Sequence, residues 1–192
     1  MKVETKDRIL AIGTQIIAQK GYNGIGIQEV LNQVGVPKGS FYHYFKSKED
    51  FGLQVIQKYA TDTLNYIESF LTQTQYSPLT RIFNLFSDVQ NVYISNNFSE
   101  GCLLGNCSNE LAGNNYTFSK ILEQQFIKMR NIFLICLKEA EEQKEISSGK
   151  DLEQLADFIV NSWEGAILRT KVTKDLTPMK SFVAILKTQI LI

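Results

Sequence analysis

The stretch of this chain best suited to chemistry is residues 38–48, which reads KGSFYHYFKSK. Lys38 and Lys48 can neutralise phosphates, and Gly39 allows another backbone to approach closely. Four further side chains can hydrogen-bond phosphates or base edges, and the tyrosine rings among them can pack on thymine methyls: Ser40, Tyr42, His43 and Tyr44. These residue types predict a surface that contacts nucleic acid.

Two short helices joined by a glycine turn must position that surface. Apolar residues recur at spacings of three and four over residues 27–34 and predict one buried face: Ile27, Val30, Leu31 and Val34. Gly35 can end this helix in the left-handed conformation, and Pro37 suits the start of the next one. Such a pair is a helix-turn-helix, whose second helix can enter a major groove. Gln28, in the first turn of the first helix, is a further candidate for DNA contact.

The aromatic residues of the second helix admit a purely structural interpretation, in which all of them form a small core. This interpretation suits Phe41 and Phe45, which lie four residues apart. The other three aromatic residues, Tyr42, His43 and Tyr44, are consecutive. At ~3.6 residues per turn they span about 200° of the helix and cannot all be buried. Ser47 and Asp50 then fit a capping box that opens a third helix.

The segment VGVPKGSFYHYFKSKEDF resembles the DNA-binding signature of the TetR family of bacterial transcriptional regulators. The likeness extends back through KDRILAIGTQIIAQKGYNGIGIQEVL, so it covers about the first third of the chain. It implies a homodimer that binds double-stranded DNA at a palindromic operator. It also implies a small-molecule effector, here expected to be apolar or electrophilic, whose binding to a second domain releases the DNA.

Composition and charge agree with this expectation. The chain has 192 residues, and residues 1–60 carry 8 Lys or Arg against 5 Asp or Glu, whereas residues 61–192 carry 12 against 15. A basic head on an acidic body fits DNA binding by the head alone. No signal peptide or membrane span is apparent, and three cysteines without disulfide spacing favour a reducing compartment, so a cytoplasmic location is expected.

The predicted fold class is all-α, with two domains. A helix-turn-helix DNA-binding domain occupies residues 1–47, and a larger helical domain for ligand binding and dimerisation occupies residues 48–192. A helix from about 48 to 71 links the two, because its apolar face is long enough to serve both. Further helices are predicted at about 79–95, 103–111, 118–143 and 152–171, and Pro178 precedes a last helix that ends near Leu191.

A ligand pocket between the later helices is expected from their many apolar and aromatic residues, although ordinary core packing would use the same types. The candidates are Phe83, Phe86, Tyr93, Cys102, Tyr116, Phe126, Phe133 and Trp163. The segment GCLLGN at 101–106 resembles one found in a subset of the family, some of whose members sense electrophiles or oxidants through a cysteine. Cys102 would sit at a helix N-terminus, which favours the thiolate, but free cysteines are commonly small buried residues, and that interpretation is favoured.

A dimer interface is expected on the last two helices, which in the family form a four-helix bundle between subunits. The candidates are Phe158, Ser162, Gly165, Ala166, Phe182, Ile185 and Leu186. Gly165 and Ala166 would let the helices approach closely, and packing within one chain is the alternative.

Catalysis is not expected. A cysteine hydrolase needs a histidine near its cysteine, and the single histidine, His43, belongs to the second helix of the helix-turn-helix. No phosphate loop, serine elbow or metal motif is present, so we expect no cofactor and no metal. Two other functions stay open at this point: a thiol-redox protein acting through Cys102 and Cys107, and a helical adaptor whose basic head binds protein.

Overall fold

The computed structural model describes residues 2–191, with side chains for 4–191, and this part of the chain is all-α, as predicted. Nine α-helices follow one another in the described residues, and the last continues into a single wider turn of π type, Leu186–Ile190. The helices are α1 Lys2–Lys20, α2 Ile27–Val34, α3 Lys38–Tyr44, α4 Lys48–Leu71, α5 Pro78–Ser95, α6 Leu103–Leu111, α7 Tyr116–Glu142, α8 Leu152–Thr173 and α9 Thr177–Ile185. Within this range, no helix is long and apolar enough to cross a membrane.

Most helix limits agree with the sequence prediction, and two differences have a local cause. Helix α7 begins two residues early because the Asn115 side chain accepts the amides of Thr117 at 3.0 Å and Phe118 at 3.2 Å, which caps the first turn. The predicted last helix does continue to Ile190, but beyond Ile185 it changes from α to the wider π type. There the Leu191 amide donates to the Leu186 carbonyl at 2.9 Å, and this wider spacing turns both leucine side chains into the core.

The described chain divides into two compact units by its internal contacts. The first unit contains the residues up to Asp62 together with Gly101–Glu123, and the second contains Thr63–Glu100 and the residues from 124 onward. Helices α4 and α7 therefore each contribute to both units. A domain boundary at residue 48 stays a prediction, and the grouping of α6 with the helix-turn-helix was not foreseen.

Three phenylalanine rings form the centre of the first unit. Phe41 lies on α3 and Phe45 directly follows the helix, and their ring centroids are 5.0 Å apart. The ring centroid of Phe51 on α4 is 5.4 Å from that of Phe41 and 5.1 Å from that of Phe45. All three are at most 1% exposed, which confirms the predicted inward direction of Phe41 and Phe45. Edge-to-face and tilted contacts at these distances are favourable. The triangle therefore fixes α3 on the first turns of α4.

The Ser47 bond of the predicted capping box is present, and the returning bond from Asp50 reaches the amide of Lys46, one residue before the N-cap. The Asp50 amide donates to Ser47 Oγ at 3.0 Å, and the Asp50 carboxylate accepts the Lys46 amide at 2.8 Å. This backbone hydrogen bond, followed by one from the Gln54 side chain, lowers the pKa of Asp50 below its ordinary value. The loop between the two helices is thus held at both ends, and α4 starts at a defined residue.

The second unit contains an aromatic cluster and a buried arginine. Phe86 on α5 packs against Trp163 on α8, with 4.5 Å between ring centroids. Arg81, only 4% exposed, donates to the carbonyls of Leu71 and Tyr76 and forms a 2.7 Å ion pair with Glu139 on α7. Because the guanidinium reaches both carbonyls, Arg81 holds the end of α4 and the loop that follows it against α7.

Gly52 tests how tightly α4 packs in the first unit. A Cβ at this position would overlap the ring of Tyr22 and lie 3.2 Å from the Phe118 ring. We therefore expect Gly52→Ala to lower the free energy of unfolding by about 1–3 kcal/mol, as overpacking does. Gly39→Ala is the matched control, because a Cβ there meets no atom within 4 Å. Urea denaturation of both variants decides, and equal stability of the two would contradict this packing.

Candidate nucleic-acid interface

Helix α3 presents a continuous polar face to solvent. Lys38, Gly39 and His43 are exposed, and the Tyr42 side chain is 56% exposed although it is a large aromatic residue. Ser40 and Tyr44 are half-buried at the edges of this face. The opposite face carries Phe41 and Phe45 into the phenylalanine triangle. The structure therefore brings together the side chains that the sequence analysis selected on this helix.

Gly39 leaves the middle of this face open, because nothing lies within 4 Å of where its Cβ would be. A ligand can thus reach the backbone of the first turn of α3. Exposed tyrosine, histidine and lysine side chains around an open backbone match the donors, acceptors and apolar surface that the major groove of DNA offers.

Gln28 and Lys48 already have partners within the chain. Gln28 is exposed, and its amide donates to Asn32 Oδ1 at 2.8 Å. The Lys48 ammonium donates to the Ile25 carbonyl at 2.9 Å and lies 5.0 Å above the centre of the Tyr22 ring. An ammonium group has three donors, so a phosphate contact by Lys48 is compatible with this bond. The role of Lys48 is nevertheless structural as well, which the sequence analysis missed.

Lys46 is a candidate that the sequence analysis passed over. It is exposed directly after α3, and the Asp50 carboxylate holds its backbone amide. The signal was present, because Lys46 lies between the predicted recognition helix and Lys48 in the same motif. A lysine whose backbone is fixed beside the polar face of α3 can reach a phosphate.

The predicted ligand-pocket residues are only partly brought together. Phe86, Phe133 and Trp163 meet in the second unit, where Phe86 lies 6.0 Å from Phe133, and Phe182 of the predicted interface joins them at 5.4 Å. In the same unit, Tyr93 is buried, Phe126 is half-buried, and Phe83 lies 5.6 Å below the Lys187 ammonium. Ring centroids 4.5–6.0 Å apart are in direct contact, so these rings pack against one another in the single chain.

The other two predicted pocket residues, Cys102 and Tyr116, belong to the first unit. Tyr116 is 80% exposed and does not line an enclosed cavity. Cys102 is 7% exposed and forms the N-cap of α6, the position expected for it. Cys107 is fully buried, and burial together with the Glu110 carboxylate raises the pKa of its thiol to about 12. A thiol with so high a pKa is a poor nucleophile, so a thiol function would have to rest on Cys102.

A groove of about 530 Å³ runs between α8 and α9 of the second unit. Its lining includes six of the seven predicted interface residues, namely Phe158, Ser162, Gly165, Ala166, Phe182 and Ile185. Leu186 is the exception, because it is fully buried in the core of its own chain and cannot meet a partner. Leu168 and Val172, 52% and 73% exposed on α8, extend the apolar surface and were not foreseen.

Two known sequence profiles match this chain. Residues 9–55 match the profile described as "Bacterial regulatory proteins, tetR family". Residues 78–186, more than half of the chain, match "Tetracyclin repressor-like, C-terminal domain". The chain belongs to the TetR family. It is a DNA-binding transcriptional regulator, as the polar face of α3 indicates.

Relatives in the TetR family cover nearly the whole chain. The "HTH-type transcriptional repressor DhaR" of Mycobacterium sp. strain GP1 is 33% identical over 184 residues, which are 96% of this chain and 91% of that protein. The "HTH-type transcriptional repressor NemR" of Escherichia coli K12 is 27% identical over 96% of this chain and 92% of its own length.

Solved structures show the same fold. A crystal structure of "regulatory protein TetR from Rhodobacter sphaeroides" has a TM-score of 0.88 at 31% identity and covers 93% of this chain and 94% of its own. The structure titled "E.coli NemR reduced form" has a TM-score of 0.86 at 26% identity and covers 96% of this chain and 95% of its own. TetR-family proteins bind DNA operators and effector ligands as dimers.

Proposed function

We propose that this TetR-family regulator is a repressor that binds an inverted-repeat operator as a homodimer and releases it when a small molecule binds the second unit. The observation that carries the proposal is the exposed face of α3, with Tyr42 56% exposed beside Lys38 and the open Gly39 backbone. A two-fold dimer presents two such helices, and an inverted repeat mirrors that symmetry. The relatives named repressors support the direction of regulation.

Base and phosphate contacts on this face differ in their effect on binding. We expect Tyr42→Ala to weaken operator binding by about 1–3 kcal/mol, because its exposed ring is available to contact a base edge. Lys38→Ala should also weaken it. Lys46→Ala should weaken binding to all sequences and flatten the slope of log K against log salt concentration by about one unit. Lys48→Ala should do the same and, because it also removes the bond to the Ile25 carbonyl, should weaken operator binding further. The DNA is a duplex that the wild-type protein selects from a random pool, and Tyr76→Ala, exposed in the second unit, is the control.

Footprinting of the same duplex tests the symmetry. Two protected half-sites in inverted orientation are expected. A single half-site occupied by a monomer would contradict the proposed dimer. Unchanged affinity in the Tyr42, Lys38 and Lys48 variants would contradict the proposed recognition face.

The groove between α8 and α9 supports the proposed dimer. Its apolar floor continues into the exposed side chains of Phe158, Leu168, Val172 and Ile185, which are 42–73% exposed in the single chain. A monomer seldom leaves so many large apolar groups on neighbouring turns, so a partner of the same kind is the expected cover. In the isologous contact, Gly165 lets the facing helix approach, since nothing lies within 4 Å of its Cβ position.

Gly165→Glu is the sharpest test of this interface. The single chain accommodates the side chain, whereas a dimer would bury an unpaired charge, which is costly. We expect monomers with weakened operator binding, measured by sedimentation and gel shift. Ile135→Glu is the matched control, because Ile135 is 62% exposed on α7, outside the groove. A Gly165→Glu protein that stays dimeric would refute the interface. Ala166→Glu is less informative, since Ala166 is 7% exposed and its own core would suffer.

The aromatic cluster around Phe86 and Trp163 is the proposed effector site of the second unit. Two contacts join α8 and its C-cap to α5 and the loop that follows α5: Phe86 packs on Trp163, and the Phe98 carbonyl accepts from the Lys174 ammonium at 2.9 Å. Thr170 lies between the two contacts on α8. Its side chain is fully buried, and its hydroxyl has no hydrogen-bond partner. Thr170 follows Trp163 by seven residues, about two turns along the same side of α8. An unpaired buried hydroxyl at that distance from the aromatic rings suits an effector with an apolar body and one polar group.

The effector's chemistry can be tested on the operator complex with two probes. We expect benzyl alcohol, which carries a hydroxyl on a ring, to release DNA, and Thr170→Val to reduce its affinity by about 0.5–1.5 kcal/mol without lowering stability. Toluene, which lacks the hydroxyl, should act equally on both proteins. The electrophile N-ethylmaleimide tests Cys102 instead, with Cys102→Ser as control.

Because Cys102 is buried as a core cysteine is, we expect N-ethylmaleimide to act equally on wild type and Cys102→Ser. Release in the wild type alone would establish a thiol sensor and overturn the proposal of an apolar effector. Equal responses of wild type and Thr170→Val to benzyl alcohol would remove Thr170 from the site.

A further inference from the structure

The turn between α1 and α2 is bound by a carboxylate from a distant part of the chain. Glu110 on α6 accepts the Asn23 amide through Oε2 at 2.8 Å and the Tyr22 amide through Oε1 at 3.2 Å. Gly21, which precedes these amides, has a φ of +79°. Successive amides after a left-handed residue form a concave anion site, and here the anion is supplied by the protein itself.

Gly21 is required for this arrangement in two ways. Its positive φ favours glycine, and a Cβ on it would overlap the Glu110 carboxylate. A second bond lies one turn earlier on α6, where Asn106 Nδ2 donates to the Ala18 carbonyl at 3.3 Å. Asn106 and Glu110 are four residues apart and share one face of α6. This face therefore holds both the last turn of α1 and the turn that follows it.

The same turn is held from its other end by α4. The Lys48 ammonium bonds the Ile25 carbonyl and lies over the Tyr22 ring, and that ring packs edge-on against Phe118 at 5.2 Å. The turn leads directly into α2, which begins at Ile27 with Gly26 as an N-cap that has no side chain to bond the helix. The start of α2 thus depends on bonds from outside the helix-turn-helix.

We propose that Glu110 is a positioning residue for DNA reading. By fixing the α1–α2 turn it fixes the orientation of α2 and α3, so operator affinity depends on the position of α6. This inference rests on the proposed operator binding. It means that α2 and α3 are held in place by α6 as well as by α4. Any displacement of α6 removes a charged acceptor from two backbone amides at once. The turn then loses its fixed conformation, and the spacing of the recognition helices is no longer defined.

Glu110→Gln keeps the length of the side chain but removes the charge and one of the two acceptor oxygens. We expect it to weaken binding to the duplex selected by the wild type roughly 5- to 150-fold, the usual range for coupled sites. Binding to random DNA should change little, since the lysines on α3 and its flanks are untouched. Hydrogen exchange of the Tyr22 and Asn23 amides should accelerate in the variant. Glu123→Gln, an exposed carboxylate on α7 in the same unit, is the matched control.

The outcomes separate positioning from simple stabilisation. A lower melting temperature with unchanged operator affinity at 25 °C would overturn the proposal, as would faster amide exchange without any loss of affinity. If Glu110→Gln does not fold, Asn106→Ala decides, because it removes only the weaker bond: reduced selective binding supports the proposal, and unchanged binding refutes it. Selection of a duplex by the wild type is a separate result, so failure of this inference leaves the operator-binding proposal standing.

Discussion

The phenylalanine triangle of Phe41, Phe45 and Phe51 is the constraint on which the exposed face of α3, the proposed DNA-reading surface, depends. Helix α3 has only seven residues, too few to be stable alone, so its conformation comes from packing. By burying two rings of α3 against one of α4, the triangle turns Tyr42 and His43 outward. The exposed aromatics are therefore a consequence of the buried ones.

The first unit uses charge where its backbone needs fixed ends. The Asp50 carboxylate binds the Lys46 amide, the Glu110 carboxylate binds the Tyr22 and Asn23 amides, and the Lys48 ammonium binds the Ile25 carbonyl. Bonds between charged groups and the backbone are among the stronger hydrogen bonds in proteins. The turn before α2 and the loop after α3 are thus held by side chains from α4 or α6, so shifts of those helices can reach the proposed DNA-reading face.

The second unit combines tight packing with an unfinished surface. The aromatic rings around Phe86 are in contact with one another, whereas the groove between α8 and α9 leaves Phe158 and Ile185 exposed. Packing within the single chain buries Leu186 but leaves the groove side of α8 open. An open apolar groove beside a packed aromatic cluster is typical of a subunit that packs against a partner.

Sequence alone was enough to predict the all-α class, the limits of α2 and α6, and the inward and outward residues of α3, because these follow from local periodicity, glycine and proline positions and capping residues. The grouping of α6 with the helix-turn-helix, the engagement of Lys48 by Ile25 and the burial of Leu186 were decided only by tertiary structure. Each depends on residues far apart in the chain: Glu110 meets Tyr22 across 88 positions. No periodicity within a helix records which distant backbone amide its carboxylate will bind.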